Sequence, residues 1–596
     1  MSFLPSAFII SLISSLVAAE LTAVVNTTHG PVQGEIKTTV MKSMRYASFR
    51  GIRYGEPPVG WQRFKPPIPA APWVKVFNAT AEASDCFQTG SANDVLMGAE
   101  DCLFLNVFTP VTNLTNPPTK LKSVMVYLVG GAWRRGTSGI WIFGPDFLIE
   151  KDVILITFNH RLGALGFLNM NHPNATGNAG LKDQRLVFQW VQKNIQNFGG
   201  NPNNVTLLGG SSGGMATFYH AISEDSAGLF QGIIAMSGTP LVPWGFHSAA
   251  TNQRRIKTLA ELLGINSTDQ ETLLRAFYSA SPEDLTLGTY YIPEVIAFNP
   301  TIENVTIATD PIFTECFIKK WFTGNFTKLP LLMGFMDKET ACFACPGVEA
   351  YMPVIKSYVE AAESIGFKVP DSIDKFNEIY ATGARNWTLF GSSVIQGTLD
   401  ATDDFIFTAM IDMTQQILAT HYDDQPIYYY HVSFKYPRSL HELRWNCTLD
   451  GPTHGDDVAF IFYAPIANYS LDLNDPLPLM RDRITTMITN FAKYGNPTPN
   501  WVNEYKLNVT WPDSKMTGEC LNFGNELLIE PRPINNDVRR IQSHTWQVLP
   551  TIADCKRECV NGSVPMFKSK SDNIRFNAMI LSGLLFSTLF NVHSYQ

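Results

Sequence analysis

Charge is scarce in this 596-residue chain: Asp, Glu, Lys and Arg make up only 16% of it. Basic residues number 45 against 53 acidic ones, a net charge of −8, and no basic block stands out. That balance argues against a nucleic-acid partner. Low charge combined with 45% hydrophobic and 12% aromatic residues also argues against disorder. No segment recurs at a fixed period, which speaks against a solenoid or propeller. Between about residues 20 and 550 no linker-like change of composition appears. Neither end carries an apolar run long enough to span a bilayer comfortably, which takes about 20 residues.

What the ends do carry reads as processing signals. Residues 1–19 hold an apolar run from Ala7 to Val17, and Val17 and Ala19 are small residues before Glu20. This predicts a secretory signal peptide, with a signal anchor as the alternative. A second apolar run extends from Ala578 to Phe590 within the tail 578–596. A polar stretch, 556–577, precedes it, with small residues such as Ser569, Ser571 and Asn573. Small residues, polar spacer and apolar tail match a GPI-attachment signal. The alternatives are a short anchor helix and an amphipathic tail. A dense set of Asn-x-Ser/Thr sites fits export. It includes Asn26, Asn78, Asn113, Asn266, Asn304, Asn325, Asn386 and Asn446. Asn204 is expected to stay bare, because its Thr206 falls in a run that reads as a buried strand.

Nine cysteines in an oxidising compartment should mostly pair. Cys86 and Cys102 bracket a short polar loop and form the best pair. Cys447 with Cys520, and Cys316 with either Cys342 or Cys345, are further candidates. Cys555 and Cys559 lie close together near the C-terminus. The C-x-x-C of Cys342 and Cys345 lacks a second ligand pair at zinc spacing, so no metal site is expected.

Short apolar runs alternate with helical patterns. Val124–Val129, Val153–Phe158, Val205–Leu208, Gly232–Ala235, Leu331–Met333 and Ile427–His431 read as buried strands. From Leu181 to Phe198, apolar residues recur at helical spacing. The alternation predicts an α/β fold, a mostly parallel twisted sheet with helices on both faces. Sites in such sheets lie beyond the C-terminal ends of the strands.

The chemistry-bearing motifs fall at such ends. Gly209-Gly-Ser211-Ser-Gly213 follows a strand and precedes a helix, the context that lifts one serine above a sheet. A serine hydroxyl needs a base. His454, in Gly451-Pro-Thr-His-Gly-Asp-Asp457, is the candidate. The base needs an orienting acid. Glu339 follows the strand at Leu331, with Asp337 as its local competitor. An oxyanion needs backbone donors, and Gly131, Ala132 and Ser212 are placed to supply them. Trp133, which closes the Gly130–Trp133 segment, is taken as a substrate-binding residue.

These motifs, taken in order, resemble the type-B carboxylesterases, the carboxylesterase/cholinesterase group of the α/β-hydrolase fold. Secreted insect members are most similar. The resemblance runs from about Val25 to Pro550. Its anchors are Phe49-Arg-Gly-Ile-Arg-Tyr-Gly-Glu-Pro-Pro-Val-Gly60, Glu100-Asp-Cys-Leu-Phe-Leu-Asn-Val-Phe-Thr-Pro110, Asn159-His-Arg-Leu-Gly-Ala-Leu-Gly-Phe167 and Gly180-Leu-Lys-Asp-Gln184. It implies a hydrolase domain over residues 20–555 and a Ser211–Glu339–His454 triad. It also implies a Cys86–Cys102 disulfide, ion pairs Arg63–Glu100 and Arg161–Asp183, and Trp244 as an acyl-pocket residue. The implied activity is serine ester hydrolysis through an acyl-enzyme. The implied substrates are small to medium apolar esters of xenobiotic, pheromone or lipid type. No cofactor is implied, and assembly is left open between monomer and homodimer.

The departures from the family pattern are specific. Val129 stands where His or Tyr is usual, Gly210 where Glu, Gln or His is usual, Ser212 where Ala is usual, and Thr340 where Gly is usual. The loop from Phe87 to Asp101 has no Trp, which argues against a choline site. Gly210 also argues against a juvenile-hormone esterase, where Gln is usual. Arg134 and Arg135 read as a solvated edge, with selection of acidic or polar acyl groups as the sharper alternative. The competing reading of the whole chain is a catalytically weak, neuroligin-like surface protein.

Overall fold

In this computed structural model, placement is described for residues 20–545, apart from 91–94, 117, 248, 293–295, 345–399, 401, 437–438, 446–447, 450, 473, 503–506, 540 and 544. Eleven strands form the main sheet. In chain order they are β1 (Glu35–Thr38), β2 (Arg45–Arg53), β3 (Phe104–Thr109), β4 (Lys122–Leu128), β5 (Ile154–Phe158), β6 (Gly200–Gly210), β7 (Gly232–Met236), β8 (Leu331–Met336), β9 (Ile427–Val432), β10 (Cys520–Phe523) and β11 (Leu527–Glu530). The spatial order is β11-β10-β9-β8-β7-β6-β4-β5-β3-β2-β1. From β5 through β10 every neighbour is parallel. The edges β1, β2, β3 and β11 pair antiparallel.

The continuous apolar runs follow from burial on both faces. In β4, Val124, Val126 and Leu128 enter one core, while Met125 and Tyr127 enter the other. Helix α1 (Ala179–Asn194) buries Leu181, Val187 and Val191 in the first core. Helix α2 (Ser212–Ile222) packs there too, through Met215, Phe218 and Tyr219. Helix α3 (Pro282–Tyr291) and helix α4 (Ala409–Ala419) come later in the chain. Helix α5 (Pro476–Tyr494) buries Met480, Ile484, Met487 and Phe491 in the second core. Pro476 suits its first turn, where no backbone donor is required. Helices thus cover both faces, as the alternation of runs predicts. Register along the parallel strands, such as Leu208 beside Ile234 and Met333 beside Tyr429, brings the ends of β6, β8 and β9 to one edge.

All six expected strands are present, within one or two residues except at β6 and β8, which run longer. The helix expected over Leu181–Phe198 begins at Ala179 and tightens into a 3-10 turn over Ile195–Phe198. The two terminal segments, 1–19 and 556–596, lie outside the described residues.

Candidate active site

Ser211 sits between β6 and α2 with φ 57° and ψ −126°. A non-glycine residue there is strained by about 1–3 kcal/mol, a cost found where the surroundings over-determine the backbone. The surroundings here are tight. Ser211 N–H donates to Met236 O at 2.8 Å, tying the elbow to β7. A Cβ on Gly209 would come 2.2 Å from Gly213 O, and one on Gly213 would come 1.9 Å from Leu128 O. Only glycine lets α2 start this close to the end of β4. By contrast, a Cβ on Gly210 would meet only Met236 Cε at 3.5 Å and Tyr127 OH at 3.9 Å, ordinary contacts.

The turn after β4 lies against this elbow. A Cβ on Gly130 would approach Gly210 O to 2.5 Å and Ser211 Cβ to 3.0 Å. Gly131, Ala132 and Trp133 all have positive φ, at 134°, 56° and 61°. The turn is closed by the N–H groups of Arg134 and Arg135, which both donate to Gly131 O at 3.1 and 3.0 Å. The N–H groups of Gly131, Ala132 and Ser212 donate to no described residue. Gln88 latches this turn to the loop of the Cys86–Cys102 disulfide. Its Oε1 accepts from Gly136 N at 3.0 Å and its Nε2 donates to Gly136 O at 2.7 Å.

The acid and base loops follow β8 and β9. His454 Nδ1 lies 2.6 Å from Glu339 Oε2, and the Glu339 side chain is wholly buried. Glu339 Oε1 accepts from Met336 N–H at 2.9 Å. A ring that donates from Nδ1 to a carboxylate leaves Nε2 free to accept a proton. The loops are also joined by their backbones: His454 N–H donates to Glu339 O at 3.1 Å, and Thr453 Oγ1 to the same oxygen at 3.2 Å. Within the base turn, Thr453 N–H donates to Asp456 Oδ2 at 2.9 Å, and Asp456 N–H to Thr453 O at 2.9 Å. His441 Nε2 adds a bond to His454 O at 2.9 Å. Asp337, the rival acid, faces away and meets His431 Nε2 at 3.2 Å. No hydrogen bond joins the Ser211 hydroxyl to His454 among the described residues. Catalytic hydrogen bonds are often long until substrate binds.

Buried carboxyls crowd this half of the site. Burial pushes Asp457 up to about 7; the nearby Glu339 adds to the rise and His454 opposes it. Burial likewise raises Asp456 and Asp403 well above the usual carboxylate range. Beside the base, the Phe407 ring lies 4.9 Å from the His454 ring, and Trp244 stands edge-on to Phe407 at 6.3 Å.

The carboxylesterase family model matches residues 21–539 of the chain. A juvenile hormone esterase of Tribolium castaneum is 31% identical over 517 residues, covering 82% of this chain and 86% of that protein. Esterase B1 of Culex pipiens is 41% identical over 265 residues, 44% of this chain and 47% of that protein. Among solved structures, juvenile hormone esterase from Manduca sexta, with OTFP covalently attached, matches with a TM-score of 0.77 at 26% identity. That match covers 90% of this chain and all of the other.

The chain belongs to the carboxylesterase family. It is a carboxylic ester hydrolase of the α/β-hydrolase fold. Two ion pairs expected from the family are present, the second wholly buried and the first partly so. Arg63 Nε and Nη2 donate to Glu100 at 2.6 and 3.0 Å, and Arg161 grips Asp183 through Nε and Nη2 at 2.8 and 2.6 Å.

Other expectations need correction. Trp133 is only 1% exposed and packs behind the turn against Phe167 and Tyr219. Arg135 is no solvated edge: at 5% exposure it is buried and donates to Thr89 Oγ1 at 3.3 Å. The left-handed residues at Ala132 and Trp133 turn the chain inward there. Arg134 stacks over the Tyr290 ring of α3 at 5.0 Å. Cys342 does not pair with Cys316; it remains a buried thiol whose Sγ faces Glu339 O at 3.8 Å. Cys520 is a buried thiol as well, while Cys345, Cys447, Cys555 and Cys559 lie outside the described residues. Asn26, Asn78, Asn113, Asn266, Asn304 and Asn325 are exposed, and Asn386 and Asn446 lie outside the described residues. Asn204 is tied by its Nδ2 to Ser123 Oγ at 2.9 Å and to Lys493 O at 3.3 Å.

Phe407 and Asp403 went unseen in the sequence. They lie more than 60 residues from Glu339, in a segment with no motif to mark them.

Proposed function

We propose that Ser211, His454 and Glu339 are the nucleophile, base and orienting acid of a serine esterase. The observation that carries this is the 2.6 Å bond from His454 Nδ1 to the buried Glu339, at the sheet edge where Ser211 is held on a strained elbow. Ser211 Oγ attacks the acyl carbon while His454 Nε2 takes its proton. Gly131, Ala132 and Ser212 N–H groups stabilise the oxyanion, which is why donors with no protein acceptor matter. Collapse of the tetrahedral intermediate returns the proton to the leaving alcohol. Water, activated by the same base, then releases the acid. Glu339 holds the imidazole in the required tautomer and stabilises the imidazolium.

Trp244 and Phe407 supply an aromatic wall beside the base, which supports small to medium apolar esters as substrates. An extracellular location is supported by the Cys86–Cys102 disulfide and the exposed sequon asparagines. Among the described residues, no helix is long and apolar enough to cross a membrane. A catalytically inactive binding protein is not favoured, because all three triad positions carry the required side chains.

The test compares full-length wild type with Ser211→Ala on p-nitrophenyl acetate, butyrate and a longer ester, with fluorophosphonate labelling alongside. Activity should fall by at least about a thousandfold and labelling should vanish in the mutant. Folded wild type that neither hydrolyses nor labels would overturn the reading.

A further inference from the structure

The loop that carries Glu339 is gripped from two sides. One grip is the base turn already described. The other is a segment far along the chain, the π-helical turn Asp403–Thr408 that leads into α4. Asp403 Oδ1 accepts from Thr340 N–H at 2.6 Å and also from the Thr340 hydroxyl. Lys338, one residue before Glu339, pairs with Asp400 at 3.2 Å. The same π turn sets the Phe407 ring against His454 at 4.9 Å. One turn therefore touches the residue next to the acid and the ring of the base. Single π turns inside helices recur at functional sites.

We infer that Asp403 and Thr340 form a positioning pair for the esterase, clamping the acid loop so that Glu339 stays aimed at His454. Thr340 stands where a glycine is usual in the family, and its hydroxyl supplies a second donor that glycine could not. The inference rests on the triad reading above. Asp403 serves here as an acceptor of fixed shape. It is buried beside Glu339, and its Oδ2 has no hydrogen-bond partner among the described residues. An ionised group in that position would be an uncompensated charge. Burial, with Glu339 adding to it, drives the carboxyl up against the Thr340 bonds and Lys338, which favours its neutral form. Asp400 and Asp404, on the same segment, point to other partners, Lys338 and Asn535.

The experiment uses the full chain with Asp403→Ala, Asp403→Asn and Thr340→Val. Folding is checked by circular dichroism, and kcat, KM and the pH profile of kcat/KM are measured on p-nitrophenyl butyrate. Asp403→Ala should lower kcat by about 10- to 100-fold with KM within about twofold, the pattern of lost alignment. Asp403→Asn keeps the Oδ1 acceptor and should recover kcat to within about fivefold, with the acid limb of the profile unmoved. Thr340→Val should lower kcat by about 3- to 10-fold, and it carries the test if Asp403→Ala does not fold. Wild-type kcat in folded Asp403→Ala or in Thr340→Val would overturn the inference. So would Asp403→Asn falling as far as Asp403→Ala, because charge and not shape would then be at work. Fluorophosphonate labelling of wild type separates the two levels. An unlabelled wild type sinks the triad reading and this inference together, whereas a labelled wild type with unaffected variants sinks this inference alone.

Discussion

On one side of the reaction centre, the elbow and the oxyanion turn are fixed by backbone meeting backbone. Gly209, Gly213 and Gly130 each sit where a Cβ would come within 2.5 Å of a carbonyl oxygen. Residues of positive φ, Ala132, Trp133 and Ser211, complete it. On the other side, the acid and base loops are fixed by side chains: Glu339 to His454, Thr453 to Asp456, Thr340 to Asp403 and His441 to His454. Among the described residues, the contacts named for the first side involve no buried carboxyl, whereas those of the second involve several. Backbone packing gives a half-site that accepts almost no added atom. Side-chain bonding gives a half-site that chemistry, including pH, can adjust.

The largest effect should come from adding one methyl group to the first side. Gly213→Ala places a carbon 1.9 Å from Leu128 O, with backbone on both sides and nothing flexible to yield. We expect destabilisation of about 3 kcal/mol or more and a collapse of folded yield. Near-normal yield and thermal stability would show that the elbow can relax and would erase the contrast.

A smaller, pH-dependent effect belongs to the second side. Asp457 is pushed up to about 7 by burial, from an ordinary value of 3.8. Between those values the native state binds a proton that the unfolded chain has released. Stability contributed by this group is therefore present at low pH and lost as pH rises from about 4 to about 7. Asp457→Asn removes the dependence. Its stability relative to wild type should climb across that window, by up to a few kcal/mol. Denaturant midpoints at pH 4.5, 6 and 7.5 would check it; a constant difference would mean that the carboxyl is not held neutral.

The smallest effect sharpens the comparison from within the first side. Gly210 lies in the elbow, yet a Cβ there makes only ordinary contacts. Gly210→Ala should leave thermal stability unchanged or raise it by up to about 1 kcal/mol, by restricting the unfolded chain. Marked destabilisation would show that the whole elbow, and not only Gly209 and Gly213, is sterically saturated.

The same contrast explains what could be read in advance. Central strands announce themselves as unbroken apolar runs because both of their faces are buried. The short or antiparallel strands β1, β2, β3, β10 and β11 lack that signal and escaped strand assignment. The glycines of the elbow are legible because a close backbone approach demands them locally. Glu339 could be preferred to Asp337 on family pattern, but their different partners, His454 and His431, depend on where each loop turns. Asp403 and Phe407 were illegible for the opposite reason: their roles arise from contacts with Thr340 and His454, each more than 40 residues away in the chain, and no local rule asks for Asp or Phe there. Arg135 misled because a doublet of arginines looks solvated until two left-handed residues turn it inward.

The Gln88 latch carries a practical consequence for anyone producing this enzyme. Both of its bonds to Gly136 begin two residues from Cys86, so the disulfide acts as an anchor for a strut that props the oxyanion turn. Protein made in a reducing cytosol would lose that anchor. The host compartment is thus a variable of catalytic quality as well as of yield, and a soluble but sluggish preparation should be reoxidised before its substrate range is judged.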